Sequence, residues 1–300
     1  MSDIKLFRVN SKQVIEISAS TVALEKSLQI LMEHNLEQFF RIRFLETEYS
    51  TGKVHGGRID TLGLDENYCP VIIEYKRNQN ENVINQGLYY LDWLMDHRAE
   101  FKEIVTKKLN NTVAEKIDWS APRLLCIAGD FNKYDGHAIK QIDRNIELIR
   151  YRKYNDEFLI LELLNSVTAK SSPVGAGRNE QGQVNKTASE HLSSAPENIK
   201  EIFESIKSFC MSLGDDVQMN SLKYYFAFRR LKNFNSVEIK HKNINLYLAI
   251  NPDQIILEEG FSRDVRNVGH WGTGNLEISL TSLIDLEKAK PLIQSSYDQN

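Results

Sequence analysis

Residues 56–77 read GGRIDTLGLDENYCPVIIEYKR, and they restrict the fold more than any other stretch of the chain. Val71, Ile72 and Ile73 form a β-branched run opened by Pro70, the composition of a buried strand. Arg58 to Leu62 reads as a second strand. Asp65-Glu66-Asn67 reads as the polar turn between the two, so the pair should form an antiparallel hairpin. Side chains alternate across a strand, which puts Glu74 and Lys76 on one face and Tyr75 on the other. The hairpin brings Asp60 beside Glu74.

Two carboxylates at one point repel each other, and a divalent cation relieves that repulsion. Hard oxygen ligands suit Mg²⁺ or Mn²⁺, and Mg²⁺ keeps several waters while taking one or two carboxylates plus substrate phosphate. A lysine beside such a site can orient the attacking water and offset charge on a phosphoryl transition state. The pattern therefore points to a metal-dependent phosphodiesterase. An Asp, a Glu and a Lys also occur on ordinary charged hairpins. The apolar strand that ends at Glu74, the Gly56-Gly57 pair before Asp60 and the helix that follows favour the metal site.

Around the hairpin the pattern alternates between periods. Lys5 to Val9 and Val14 to Ile17 read as short strands. Leu24, Leu28, Leu31 and Met32 give a helical stripe from Thr21 to about Phe40. Phe44 to Tyr49 alternates like a strand, and the Ser50–Gly57 stretch reads as a turn or exposed loop. One long helix is expected from about Asn80 to Leu109, with Gln86 and Tyr90 on one face at i and i+4. Pro122 to Ala128 reads as a buried strand, His137 to Arg144 as a helix, and Glu147 to Tyr151 and Phe158 to Leu164 as strands. The order is α-β-β-β-α-β with later additions, an α/β class with a mixed sheet flanked by helices.

Residues 166–196 break this pattern, being rich in Ser, Gly, Asn and Gln with almost no large apolar residue. They read as a flexible linker of about thirty residues between a first domain at 1–165 and a small α+β domain at 197–300. In the second domain, Ile199 to Cys210 is an amphipathic helix. Strands are expected at 223–228, 236–239, 244–250 and 276–280, and a closing helix at Ser282 to Tyr297.

Composition excludes several classes. A hydrophobic content of 41% and a charged content of 26% fit a globular chain, and no apolar run is long enough to span a bilayer. The opening MSDIKLFRVN lacks the apolar core of a signal sequence, and three scattered cysteines show no zinc spacing. A reducing, cytoplasmic compartment is expected. The net charge of −4 does not fit a protein that coats DNA non-specifically. Local clusters such as Lys76-Arg77, Lys107-Lys108 and Arg150-Arg152-Lys153 leave room for a phosphate-facing patch, although each alone reads as solvated surface.

Asp60 followed by Glu74-x-Lys76, with this strand order and a preceding helix, resembles the PD-(D/E)XK nuclease superfamily. GRID, the IIEYKR strand and a following helix with Gln86 and Tyr90 are similar to the catalytic domain of NucS/EndoMS-type endonucleases, over about residues 20–130. The resemblance implies a restriction-endonuclease-like fold and Mg²⁺- or Mn²⁺-dependent hydrolysis of DNA phosphodiesters. Carried over, Asp60 and Glu74 are metal ligands, the Tyr75 carbonyl is a third, and Lys76 activates the water. Gln86 and Tyr90 support the site or touch phosphate, although Tyr90 is equally suited to a core with Tyr89 and Trp93. An acidic residue on the first helix often completes such sites, and Glu25 is the best placed here, with a solvated helix charge as its plain alternative. In that family a separate DNA-binding and dimerising domain is N-terminal, whereas here the second domain is C-terminal.

The C-terminal segment, with YYFAFRRLKNF and the GHWGTGNLEISL stretch, resembles an uncharacterised domain often appended to such nucleases. Arg229, Arg230, Arg263, Arg266, His270 and Trp271 could form a basic–aromatic surface for nucleic acid, or a structural loop with scattered charges. DNA is the expected partner, and a homodimer would supply two sites for cutting both strands. The competing reading is a nuclease-like fold that grips nucleic acid or a protein without cutting it. An RNA-directed nuclease is a third.

Overall fold

The computed structural model describes residues 4–10, 13–20, 25–76, 83–155, 157–167 and 187–300. The chain opens with β1 (Leu6–Asn10) and β2 (Gln13–Ile17), a small exposed antiparallel hairpin. Next come β3 (Ala19–Ser20), α1 (Glu25–His34), α2 (Leu36–Phe40), β4 (Arg43–Ser50) and the single turn α3 (Gly52–His55). The motif strands are β5 (Arg58–Leu64) and β6 (Pro70–Lys76). They are followed by α4 (Val83–Asp96), α5 (Arg98–Lys108), α6 (Asn111–Ala114), β7 (Arg123–Ala128), α7 (Lys133–Ile139), β8 (Asn145–Tyr154) and β9 (Phe158–Val167).

These strands build a mixed seven-stranded sheet in the order β3-β8-β7-β6-β5-β4, with β9 also paired to β8. The β4–β5 and β5–β6 pairs are antiparallel, while β6–β7 and β7–β8 are parallel. Strand alternation feeds two cores. Leu62, Ile72, Leu124, Cys126, Ile146 and Leu148 pack on one face with Leu91, Leu94 and Phe101 of α4 and α5. Val71, Ile73, Tyr75, Leu125, Ile127 and Ile149 pack on the other with Leu28, Met32, Leu36 and Phe40 of α1 and α2. A strand covered on both faces reads as a continuous apolar run, which is why Val71–Ile73 and Leu124–Ala128 are uninterrupted. Each such side chain contributes about 1.5–3 kcal/mol by leaving water.

The single helix expected over 80–109 is two helices where it is described, and residues 80–82 lie outside the described residues. His97 leaves the helical region at φ −112° and ψ 38°, and its ring stacks on Trp93 and meets the Trp93 carbonyl at 2.8 Å. The stretch from Ser50 to Gly57, expected as a loop, contains the α3 turn between Gly52 and Gly56 in left-handed backbone.

The second half comprises α8 (Ala188–Ser193), α9 (Glu197–Ser212), β10 (Gln218–Ser221), β11 (Phe226–Arg229), β12 (Asn233–Ile239), β13 (Ile244–Leu248), β14 (Ser262–Asp264), β15 (Leu276–Leu280) and α10 (Leu283–Asp298). A 3₁₀ turn, Pro252–Gln254, precedes β14. Six antiparallel strands run in the order β10-β11-β12-β13-β15-β14. The helices bury Ala188, Ile199, Phe203, Ile206, Leu286 and Ile293 against Phe226, Phe228, Leu246 and Ile278. Both ends of the stretch expected as a linker at 166–196 are regular structure: β9 extends to Val167, and α8 occupies 188–193 behind a capping box of Thr187 and Glu190. Residues 168–186 of that stretch lie outside the described residues.

The two halves meet through a dry contact. Cys69 and Ala121 of the first pack with Leu222, Tyr225 and Ala227 of the second, all nearly inaccessible. The Tyr225 hydroxyl donates to Asn67 Oδ1 at 2.6 Å, and Asn233 Nδ2 donates to the same atom at 2.6 Å. Among the described residues no helix is long and apolar enough to cross a membrane.

Candidate functional site

The ladder between β5 and β6 pairs Leu64 with Pro70 and continues to Thr61 with Ile73. At Asp60 and Glu74 side chains take over from backbone. The Asp60 N–H donates to Glu74 Oε1 at 3.2 Å, and the Tyr75 N–H donates to Asp60 Oδ2 at 3.0 Å. Each carboxylate thus accepts a backbone N–H of the opposite strand. Glu74 is fully buried on the face of Ile72, while Tyr75 points into the opposite core as strand alternation requires. Burial pushes the Tyr75 phenol well above its usual range, and its oxygen lies 3.3 Å from Thr61 Oγ1.

A cleft of about 410 Å³ opens over this point. Asp60, Lys76, Gln86 and Tyr90, all selected from sequence, line it together with Lys26, Gln29, Glu48 and Arg58, which were not. Tyr90 serves the core and the cleft at once. It is 6% exposed, and its hydroxyl accepts from the Arg58 N–H at 3.1 Å and from Gln86 Nε2 at 3.3 Å. A Cβ on Gly57 would lie 2.4 Å from the Tyr90 ring, so the glycine before β5 lets the strand lie against α4.

The first helix contributes Gln29. Its amide nitrogen lies 2.8 Å from the Asp60 carbonyl, 2.9 Å from Glu33 Oε1 and 3.1 Å from Thr47 Oγ1, and its two hydrogens serve the shorter two. Glu33 in turn accepts from Thr61 Oγ1 at 2.6 Å. Helix α1 therefore does bring a carboxylate to the motif strands, about two turns from its start. Glu25 opens the helix, and its side chain lies outside the described residues.

Glu48 reaches the cleft by another route. It lies inside β4 between the Thr47–Thr61 and Tyr49–Ile59 pairs, with φ 54°. A left-handed non-glycine residue within a strand is strained backbone, and here it sends the carboxylate toward the cleft. Glu48 Oε1 accepts from Lys26 Nζ at 2.8 Å, and Arg58 Nε lies 2.5 Å from Oε2. The Lys26 hydrogen bond is the main cause holding the Glu48 carboxyl below its usual range. No spacing in the sequence signals this residue. Gln29 had a signal in its position four residues after Glu25, on the same helical face.

Carboxylate and carbonyl oxygens are the donor type that a small hard cation takes. Asp60 and Glu74 offer carboxylate oxygens at one point, and β6 carries the Tyr75 carbonyl between Glu74 and Lys76. Among the described residues no group of three His, Cys, Asp or Glu side chains could hold a metal. A two-carboxylate set suits Mg²⁺, which leaves its other positions to water and phosphate, better than it suits Zn²⁺.

The basic–aromatic surface considered for the C-terminal half is not formed as a free cationic patch. Arg229 is buried against Glu147, Arg230 pairs with Asp216, Arg263 with Glu277, and Arg266 with Asp253 and Asp264. His270 stacks on Tyr247 and Trp271 on Tyr224. Each arginine has an acidic partner.

Residues 188–300 match the model of a family described as "Domain of unknown function (DUF5655)". No solved structure matches the chain. An uncharacterized protein of Haemophilus influenzae is 30% identical over 308 residues, covering 97% of this chain and 99% of the relative. That similarity spans the cleft-bearing sheet as well as the C-terminal half, and the chain belongs to the family of this Haemophilus influenzae protein.

Proposed function

We propose that the chain is a metal-dependent endonuclease that hydrolyses DNA phosphodiesters, built on a restriction-endonuclease-like version of the mixed sheet. One observation carries the reading: Asp60 and Glu74 are locked together where β5 and β6 part, and Lys76 lines the same cleft as Asp60. The order α1, β4, β5, β6, α4, β7 supports it, because it is the helix–three strands–helix–strand order on which the resemblance rests.

Asp60 and Glu74, with the Tyr75 carbonyl, would hold Mg²⁺ or Mn²⁺. When bound, such an ion lowers the pKa of a coordinated water and neutralises phosphate charge. The chain's own groups do the rest. Lys76 orients the attacking water and offsets the charge that grows on the phosphate oxygens. Gln29 fixes the Asp60 backbone through its carbonyl, and Tyr90 and Gln86 fix the start of β5 through the Arg58 N–H. Two sites in a homodimer would serve the two strands of a duplex.

The test is cleavage of linear, branched, mismatched and single-stranded DNA in Mg²⁺ or Mn²⁺, beside EDTA and the Lys76→Ala variant. Metal-dependent cutting that is lost in the variant is the expected result. DNA bound but never cut would favour a non-cleaving binding module.

A further inference from the structure

Glu48, Lys26 and Arg58 pose a question that the two-carboxylate site does not answer. Exposed ion pairs contribute little to stability, because water competes and two long side chains lose freedom. Lys26 and Arg58 are 55% and 67% exposed, yet Glu48 adopts a strained left-handed backbone within β4 to sit between them. Strain of this kind persists where the surrounding structure enforces it, and it concentrates at functional sites. The ammonium and the guanidinium come from different elements, α1 and the start of β5, and converge on one small oxyanion. All three groups line the cleft that holds Asp60 and Lys76.

A carboxylate held by an arginine and a lysine has the charge and the oxygen spacing of a phosphodiester's non-bridging oxygens. We propose that Lys26 and Arg58 form a subsite for a backbone phosphate of the nucleic acid, next to the one at which Asp60 and Lys76 act. Glu48 is the resident anion of this subsite. It keeps the two cations oriented in the free protein and yields to the incoming phosphate. The assignment of that phosphate to a polynucleotide rests on the nuclease reading, whereas the anion chemistry of the subsite does not.

Titration calorimetry on the full chain in EDTA separates the two, since no cleavage can occur. The probes are thymidine 3′,5′-bisphosphate and a twelve-nucleotide oligothymidylate. Wild type should bind both. Lys26→Gln and Arg58→Gln should each weaken both at least tenfold, and the distant Lys107→Gln should change neither by more than twofold. Glu48→Gln and Glu48→Gly should tighten binding at least threefold. The glycine variant fits the backbone at φ 54°, so it also guards against misfolding. Absence of bisphosphate binding, variants at positions 26 and 58 no worse than Lys107→Gln, or weaker binding in both Glu48 variants would each overturn the subsite. Binding of the bisphosphate alone would overturn its role in holding a polynucleotide. The nuclease reading fails separately, on the absence of Mg²⁺-dependent cutting.

Discussion

Arg229 of the C-terminal half and Glu147 of the seven-stranded sheet lie 3.2 Å apart, with only 1% and 3% of their side chains exposed. Arg123 grips the same carboxylate with two nitrogens, at 2.8 and 3.1 Å, and reaches Asp65 Oδ2 at 3.0 Å. Two cations and two anions thus balance in a dry seam that runs from the motif hairpin, through Asp65, to strand β11.

This seam predicts that the halves do not part cleanly. The composition of 166–196 reads as a tether between independent units, on which residues 1–165 would fold without 197–300. The structure predicts the reverse, because removing the second half strips Glu147 of Arg229, Asn67 of Tyr225, and Cys69 and Ala121 of their apolar cover. A chain ending at Val167 should be insoluble or melt far below the full protein in calorimetry. In the intact chain, Arg229→Ala should cost about 3–5 kcal/mol in urea titration, the usual cost of leaving a buried charge without its partner. Arg229→Met combined with Glu147→Gln should cost less than the sum of the two single changes. A soluble, cooperatively folded 1–167 fragment would refute this picture.

The same seam gives stability a defined acid limb. Burial alone would raise the Glu147 carboxyl, but Arg123 and then Arg229 outweigh it and hold it below 4.5. A carboxylate depressed in the folded state adds stability above its unfolded pKa, and that stability is lost as pH falls through the folded value. Glu66 has the opposite sign: burial raises it, so its contribution is present at low pH and lost as pH rises through its folded value. Melting temperature followed downward from pH 5 should fall, and Glu147→Gln should flatten that fall. Glu66→Gln should instead flatten the pH dependence above 4.5. Parallel profiles for wild type and both variants would contradict the assignment.

For the cleft, Asp60→Asn, Glu74→Gln and Lys76→Met should each lower metal-dependent cleavage by at least about a hundredfold, the scale of losing one charged group at a phosphoryl or oxyanion site. Glu74→Gln keeps an oxygen for the Asp60 N–H, so its fold should survive. Lys76→Met should leave the chain folded, because it keeps a long apolar stem at the half-buried end of β6. Single-turnover cleavage and urea titration on the same preparations measure both. Full activity in any of the three would remove that residue from the site.

The hairpin was legible because its signals are local. A β-branched run after Pro70 and a polar turn at 65–67 set the strand register, and register alone puts Asp60 beside Glu74. Gln86 and Tyr90 followed from helical spacing. The other half of the cleft depends on contacts that no spacing encodes. Lys26 meets Glu48 only because α1 lies across β4 and β5, and Glu48 points inward only through a backbone angle usually reserved for Gly or Asn. Arg229 was read as surface charge, since a basic residue gives no sign that Glu147 and Arg123 await it in another half of the chain. Helix α8 was hidden because Ala188 and Leu192 are its sole apolar residues among neighbours of linker composition.

Gly57 packs tightly beside the cleft. A Cβ there would lie 2.4 Å from Tyr90 Cε1 and 3.1 Å from the hydroxyl, distances that force one of the two to move. The ring cannot retreat, because it is buried in the core with Trp93 and Leu94 and is bonded through its oxygen to the Arg58 N–H. Gly57→Ala should therefore shift the start of β5, costing about 1–3 kcal/mol as overpacking does and lowering cleavage with it. Tyr90→Phe should not relieve the clash, since Cε1 remains, and should cost only about 0.5–1.5 kcal/mol for the lost hydrogen bonds. Tyr90→Ala should cost about 3–5 kcal/mol through its cavity, but adding Gly57→Ala to it should cost almost nothing more. A double-mutant cycle in urea that gave simple additivity would show that β5 is positioned by something other than this contact.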